Sequence, residues 1–327
     1  MAAPESLIFR RVKLTAGAPI PAALDGRVVG AGESALRAPL LWPEGSVLDA
    51  WIHGAAAEER RHGCIRYMTD GDWLHGLAEM DDSALGLQAA AHRAYEDLFE
   101  VLAASACPNL LRLWNYFADI NRPADGSERY RQFNAGRQQA FIDARRSAFE
   151  GAPAACALGT LGGPLRVYFL AGRRPSIAIE NPRQVSAYRY PDTYGPRSPT
   201  FSRAALADAG DGRKVLFISG TASIVGHATV HVGDVRRQTE ESLLNIATLR
   251  RAAAERAGVV FAADALTYTV YVRDAADLAS VRHVFEREVG AGSPAARDAV
   301  YVQADICRAD LLVEIEAHGF ARTGGGV

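Results

Sequence analysis

The chain has 327 residues, 49% of them hydrophobic and 23% charged, with a formal net charge of −2. That length and balance fit a globular chain of about two domains. The absence of a basic excess argues against nucleic acid as a partner, because phosphate binding needs a broad positive footprint. No run of about 18 apolar residues occurs, so no membrane span is expected. Residues 1–13 lack the charged-then-apolar pattern of a secretion signal. Cys64, Cys107, Cys156 and Cys307 lie far apart with no C-x-x-C pair. They are expected to be reduced thiols of a cytoplasmic protein.

In chain order, residues 7–14 read as a strand. Residues 83–107 read as a helix with the apolar stripe Leu87, Ala91, Ala94, Leu98 and Leu102, capped by Ser83 and ended by Pro108. A polar loop at 119–130 precedes a second helix expected at about 135–150. The glycines of GTLGGP (159–164) lack the Lys-Ser/Thr ending of a phosphate loop and predict a turn before a strand at 165–171. Residues 180–203, ENPRQVSAYRYPDTYGPRSPTFSR, carry four prolines that forbid a long helix. A 24-residue irregular stretch this rich in Tyr and Arg predicts a functional loop.

Residues 204–213 read as a turn or linker, which sets a domain boundary between 205 and 206. Beyond it come a strand at 215–218 and a helix at about 235–257 closed by Gly258. Strands at 259–263 and 266–272 follow. A helix capped by Asp274 or Asp277 then shows the stripe Leu278, Val281, Phe285 and Val289. Strands at 299–304 and 311–317 end the pattern. In the last strand Val313, Ile315 and Ala317 face one side and Glu314 and Glu316 the other. The tail 324–326 is expected to be a flexible end. The fold class is α+β, with helices on one face of the C-terminal sheet.

LFISGTASI (216–224), ESLLNIATL (241–249), TVYVRD (269–274) and LLVEIEA (311–317), with the Gly233-Asp234 pair and Gln238 between them, resemble the Rid/YjgF-like family. The resemblance implies a Rid/YjgF-like (chorismate-mutase-like) C-terminal domain over 206–327 and a ligand cleft beside the VEIEA strand. It also implies a working carboxylate at Glu314. LLRLWNYFADIN (110–121), FNAGR (133–137), ENPRQVSAYRYP (180–191) and YGPRSPTFSRA (194–204) narrow this. Together they resemble the chorismatases, in which an N-terminal α+β domain, here 1–205 with its substrate loop at 180–203, is fused to such a C-terminal domain.

The resemblance implies a pyruvate-releasing lyase acting on chorismate without cofactor or metal. Chorismate is a dianion, and Arg offers carboxylates a planar fork. Arg137, Arg197 and Arg203 are the candidates, with Tyr188 and Tyr194 as ring or hydroxyl contacts. Glu314 would protonate the enol ether if burial holds its pKa high. Glu316 fits a solvent-facing residue. Gly220 and Cys307, seven residues before Glu314, resemble the 3-hydroxybenzoate-forming branch. There the ring C4 hydroxyl displaces the pyruvyl ether and no net water is consumed. Cys307 would shuttle a proton or only shape the pocket. A branch making both 3- and 4-hydroxybenzoate shares much of this pattern. A non-catalytic Rid-like protein that binds small carboxylates, and a Rid-type imine deaminase, stay open as other readings. His227 and His231 lack a third ligand, so no metal is expected. A monomer or small homo-oligomer is expected, the N-terminal domain filling the place of a partner.

Overall fold

The run Leu110 to Phe117 carries apolar residues on both faces, which periodicity alone cannot place. It lies in a strand, Asn109–Ala118, near the middle of a sheet covered on both sides. The structure, a computed structural model, describes residues 6–14, 26–30, 36–52, 58–124 and 126–323. The expected flexible end at 324–326 lies outside the described residues.

Two seven-stranded sheets pack face to face. The first runs Asp305–Ile306, Ala154–Thr160, Asn109–Ala118, Leu165–Gly172, Trp73–Met80, Ile65–Thr69, Glu58–His62. The second runs Ile177–Ile179, Ala204–Gly210, Arg213–Ala222, Val313–Arg322, Thr267–Val272, Val300–Gln303, Leu40–Trp42. Helices Leu87–Ala104 and Arg129–Asp143 cover the outer face of the first, burying Leu98 and Phe141 with Leu113 and Phe169. Helices Val235–Ala257 and Leu278–Val289 cover the second, burying Leu249 and Phe285 with Ile218 and Ile315. Between the sheets lies a third core that includes Trp51, Trp114, Tyr168, Phe217 and Val302. Each large apolar side chain buried there is worth about 1.5–3 kcal/mol of transfer.

The two halves have one topology. Numbered along each half, the six main strands lie in the order 1-2-3-6-4-5, with helices after the third and the fourth. In both halves the fourth and fifth strands pair in parallel and the other neighbours antiparallel. Each sheet takes an edge strand from the other half: Asp305–Ile306 pairs with Ala154–Thr160, and Leu40–Trp42 with Val300–Gln303. A three-stranded sheet of Ile8–Leu14, Ser46–Ile52 and Gly26–Val29 delivers Arg11, Arg27 and Asp49 to the inter-sheet layer.

Several expectations shift. Residues 204–213 are no linker: Ala204–Gly210 is a strand, and the boundary drawn at 205/206 falls inside it. Its small residues Ala205, Ala207 and Ala209 let the two sheets approach. The second helix starts six residues early, at Arg129, because its buried face is polar, with Gln132, Asn134, Arg137 and Gln138. The first helix starts after Gly86, since Ser83 bonds Asp81 instead of capping. No strand forms at 259–263, where Phe261 packs into the core and a 3-10 turn follows. The third helix has the expected ends, Asp234 accepting from the Arg237 amide and Gly258 in the left-handed region. Among the described residues, no helix is long and apolar enough to cross a membrane.

Candidate active site

The strand Val313–Arg322 sits between Arg213–Ala222 and Thr267–Val272. Its alternation sends Val313, Ile315 and Ala317 to the helices, and Glu314 and Glu316 to the inter-sheet layer. Glu314 lies opposite Ala222 on one side and Tyr271 on the other. Gly220 occupies the irregularity in the adjoining strand, between Ile218 and Thr221. A Cβ there would stand 1.9 Å from Glu314 Oε1 and 2.9 Å from Cys156 Cβ. Glycine is therefore what lets the carboxyl lie against the backbone.

A cleft of about 400 Å³ opens over Glu314 and Gly220, a size that holds a small ring compound. Cys307, Arg308, Arg203, Tyr194, Tyr190, Tyr130, Phe201 and Asn121 line it. A chamber of about 30 Å³ shares Glu314, Gly220, Cys307, Tyr130 and Phe201 with it and adds Arg137 and Cys156. The structure thus gathers Glu314, Cys307, Gly220, Arg203, Tyr194 and Arg137 around one space. It leaves out the other two expected residues. Tyr188 does not line the cleft and stacks under Arg189. Arg197 is exposed, and among the described residues it reaches only the Gln138 amide oxygen, at 3.5 Å. Motif position alone does not reveal this.

Arg308 was not among the expected residues. Its guanidinium stacks on Tyr194 at 3.9 Å and lies 5.1 Å from the Tyr190 ring centre. Nη1 donates to the His227 carbonyl at 2.9 Å, while Nη2 is buried with no hydrogen-bond partner among the described residues. Arg203 donates to Tyr190 Oη at 2.7 Å and to the Val185 carbonyl at 2.9 Å, leaving its buried Nε without a partner. Arg137 bonds Asn134 Oδ1 at 3.0 Å, and its Nε is likewise unmatched. Three cations with unused donors around one cleft suit an anionic guest. The adjacency of Arg308 to Cys307 was the available signal for it.

The two glutamates differ sharply. Glu316 is buried, against the expectation of a solvent-facing residue. It accepts from Arg27 Nη1 at 2.8 Å, from Tyr271 Oη at 3.0 Å, from Arg112, and from the Cys156 thiol at 3.4 Å. Burial alone would raise its pKa, but Arg27 and Arg112 more than offset that and hold it at about 2. Arg27 also donates to Tyr116 Oη and Asp49. Among the described residues Glu314 forms no ion pair with an arginine. Its pKa is pushed up to about 8, first by burial and then by the charge on Glu316, with Arg112 and Arg203 pulling more weakly the other way. The Cys307 thiol is pushed up to about 12, by burial and then by Glu314, so it is a neutral thiol at pH 7.

His227 Nδ1 faces Tyr194 Oη at 3.3 Å, and His231 Nε2 lies 3.6 Å from Glu241, so the two histidines have separate partners.

These observations meet in the comparisons with known proteins. The family described as "Chorismatase FkbO/Hyg5-like, N-terminal" matches residues 49–171. The chain belongs to the chorismatase family. Within it, the chain is 39% identical over 278 residues to a 3-hydroxybenzoate synthase of Streptomyces hygroscopicus, covering 82% of this chain and 80% of that protein. It is 40% identical over 283 residues to a chorismatase of Streptomyces rapamycinicus, covering 83% and 81%. A crystal structure of a chorismatase at 1.08 Å resolution superposes with a TM-score of 0.85 at 31% identity, covering 98% of this chain and 99% of that one.

Proposed function

We propose that this protein converts chorismate to 3-hydroxybenzoate and pyruvate. The observation that carries the reading is a buried carboxyl, Glu314, without an arginine ion pair among the described residues, at the floor of a cleft lined by Arg203 and Arg308; burial raises its pKa to about 8. The family membership and the relative named 3-hydroxybenzoate synthase support the substrate and product.

Arg137, Arg203 and Arg308 hold the two carboxylates, Arg137 from the chamber and the other two from the wall above. Glu314 delivers its proton to the methylene carbon of the enol ether, leaving an oxocarbenium ion. The ring C4 hydroxyl then attacks C3. The C3–O bond breaks and its electron pair leaves with pyruvate as the ketone. The hydroxyl proton returns to Glu314. The arene oxide opens, its oxygen gains a proton and the ring loses one, giving the aromatic product. Substrate equals the sum of products, so no water enters. Gly220 gives the substrate room beside Glu314, and neutral Cys307 forms a wall. No metal or cofactor takes part in this route.

The test is purified protein incubated with chorismate, with and without a chelator, the products separated by chromatography. One equivalent each of pyruvate and 3-hydroxybenzoate, unchanged by the chelator, is expected. Intact chorismate at high enzyme concentration overturns the reading in favour of a carboxylate-binding protein. A large 4-hydroxybenzoate fraction moves the chain to the dual-product branch, and a dihydroxycyclohexadiene acid to the hydrolytic one.

A further inference from the structure

Glu314 and Glu316 project from the same face of one strand, two residues apart, and both are buried. Two carboxylates so placed cannot both ionise without cost. The surroundings decide which one does. Glu316 receives two guanidinium groups, a phenol and a thiol. Its neighbour receives none of these cations as an ion-pair partner among the described residues. We propose that Glu316 is a positioning residue for the reaction, its permanently ionised carboxylate keeping the proton on Glu314. The inference rests on Glu314 as the acid of the proposed function, and it adds the group that makes it one.

The other groups facing Glu314 do not replace Glu316 in that role. Tyr271, on the neighbouring strand, is held neutral by burial. Cys156, from the opposite sheet, and Cys307, from the segment above, are held neutral by burial as well. So is Tyr130, from the helix of the N-terminal half. Arg112, Arg203 and Arg137 are cations, which favour loss of the Glu314 proton. Glu316 is thus the negative charge set against Arg112 and Arg203. Its own two arginines keep it charged. Cys156 stands at the junction, lining the chamber under Glu314 while its thiol bonds Glu316.

The test is the pH profile of kcat/KM for the whole enzyme. Wild type should lose activity as pH rises through the Glu314 ionisation, near 8. In Glu316→Gln that limb should move down by about one pH unit or more, a tenfold fall in protonated Glu314 at a given pH above it. Glu316→Asp, which keeps the charge, should restore most of it. Should Glu316→Gln fail to fold, Glu316→Gln with Arg112→Met removes one charge of each sign, and its limb should still move down, by less. Loss of rate at every pH with an unmoved limb, in whichever of these variants folds, would overturn the proposal, because that is the signature of a merely structural role. A second arm needs no turnover. The infrared band of a protonated carboxylic acid should be present in wild type at pH 7, absent in Glu314→Gln, and weakened in Glu316→Gln or the double variant. A band unchanged by loss of Glu316 also overturns it. If wild type leaves chorismate intact while the band behaves as stated, the reaction assignment has failed and the electrostatic inference has not.

Discussion

The two halves share a topology, yet they treat the same place in it in opposite ways. In the C-terminal half the last main strand sets Glu314 opposite Tyr271, with Ala222 on its other side. In the N-terminal half the corresponding strand sets Arg166 opposite Tyr116, with Glu79 on its other side. The correspondence is anchored by the two tyrosines, whose hydroxyls meet at 2.6 Å across the layer. Arg166 bonds Glu79 at 2.6 Å, and the space beside it amounts to about 10 Å³. Glu314 faces an alanine where a partner would stand, and a cleft of about 400 Å³. A strand position is therefore not reactive by virtue of the fold. It becomes an acid when its counter-ion is withheld, its carboxyl is buried and space is opened beside it.

The sharpest test of that contrast is a matched pair of variants. Glu314→Gln should cost about 10²–10⁴-fold in kcat. Arg166→Gln, at the matching place, should change it by less than about threefold, since a partly exposed ion pair contributes about 0–1 kcal/mol. Pyruvate release under saturating substrate measures both. Similar losses in the two would break the comparison.

A second pair addresses stability. Glu316→Gln strands buried Arg112 and removes one of the two carboxylates paired with buried Arg27, and should lower unfolding free energy by about 3–5 kcal/mol in urea titration. Glu79→Gln, which loosens the partly exposed pair, should cost about 0–1 kcal/mol. The pH dependence has a definite sign. The Glu316 pKa is depressed from 4.5 to about 2, so its contribution is fully present above about 4.5 and is lost as pH falls towards 2. Glu314 works in reverse: raised from 4.5 to about 8, it makes folding progressively less favourable as pH rises between those values. A wild-type stability that rises on acidification from pH 4 to pH 2 would contradict the first of these.

Gly220→Ala comes next. The added methyl overlaps the Glu314 carboxyl, and a displacement of about 1 Å can cost about 10²-fold in a pre-organised site. The loss should fall on kcat, and the remaining products should shift towards the diene acid as water competes for the oxocarbenium ion. A normal rate with an unchanged product would show that the carboxyl has another place to go. Arg308→Ala and Arg203→Ala should then each weaken apparent substrate affinity by about 1.5–3 kcal/mol, the range for hydrogen bonds to charged groups. Michaelis constants equal to wild type would remove those residues from substrate binding. The smallest effects belong to Arg197→Ala and Tyr188→Phe, outside the cleft, which should stay within about threefold of wild type. A tenfold rise in Michaelis constant for either would bring the loop tip back into the site.

The sequence made some of this legible and not the rest, for identifiable reasons. Glycine stops and stripes are local, so Gly258 and the apolar face of Leu278–Val289 could be placed from the chain alone. Alternation at 313–317 separated the two faces correctly. It could not say that the polar face is covered by a second sheet, so Glu316 read as solvated. The ion-pair partners of Glu316 lie 204 and 289 residues away, at Arg112 and Arg27, and nothing local couples them. Strands such as Ala204–Gly210, made of small residues, carry little hydrophobic signal and passed for a linker. Arg308 and the outward turn of Arg197 depend on how the loop at 180–203 lies over the cleft, which is a tertiary fact.

One further consequence follows from the exchanged edge strands. Asp305–Ile306 is stitched into one sheet and Val313–Arg322 into the other, so residues 307–312 are a tie rod between two layers. Cys307 and Arg308 ride on that rod, at the lip of the cleft. A short span fixed at both ends follows its anchors. The width of the cleft is therefore set by the spacing of the layers, which the bulk of Trp51, Trp114 and Phe217 keeps apart. Substitutions that thin the spacer from far away are therefore expected to move the lip and change turnover.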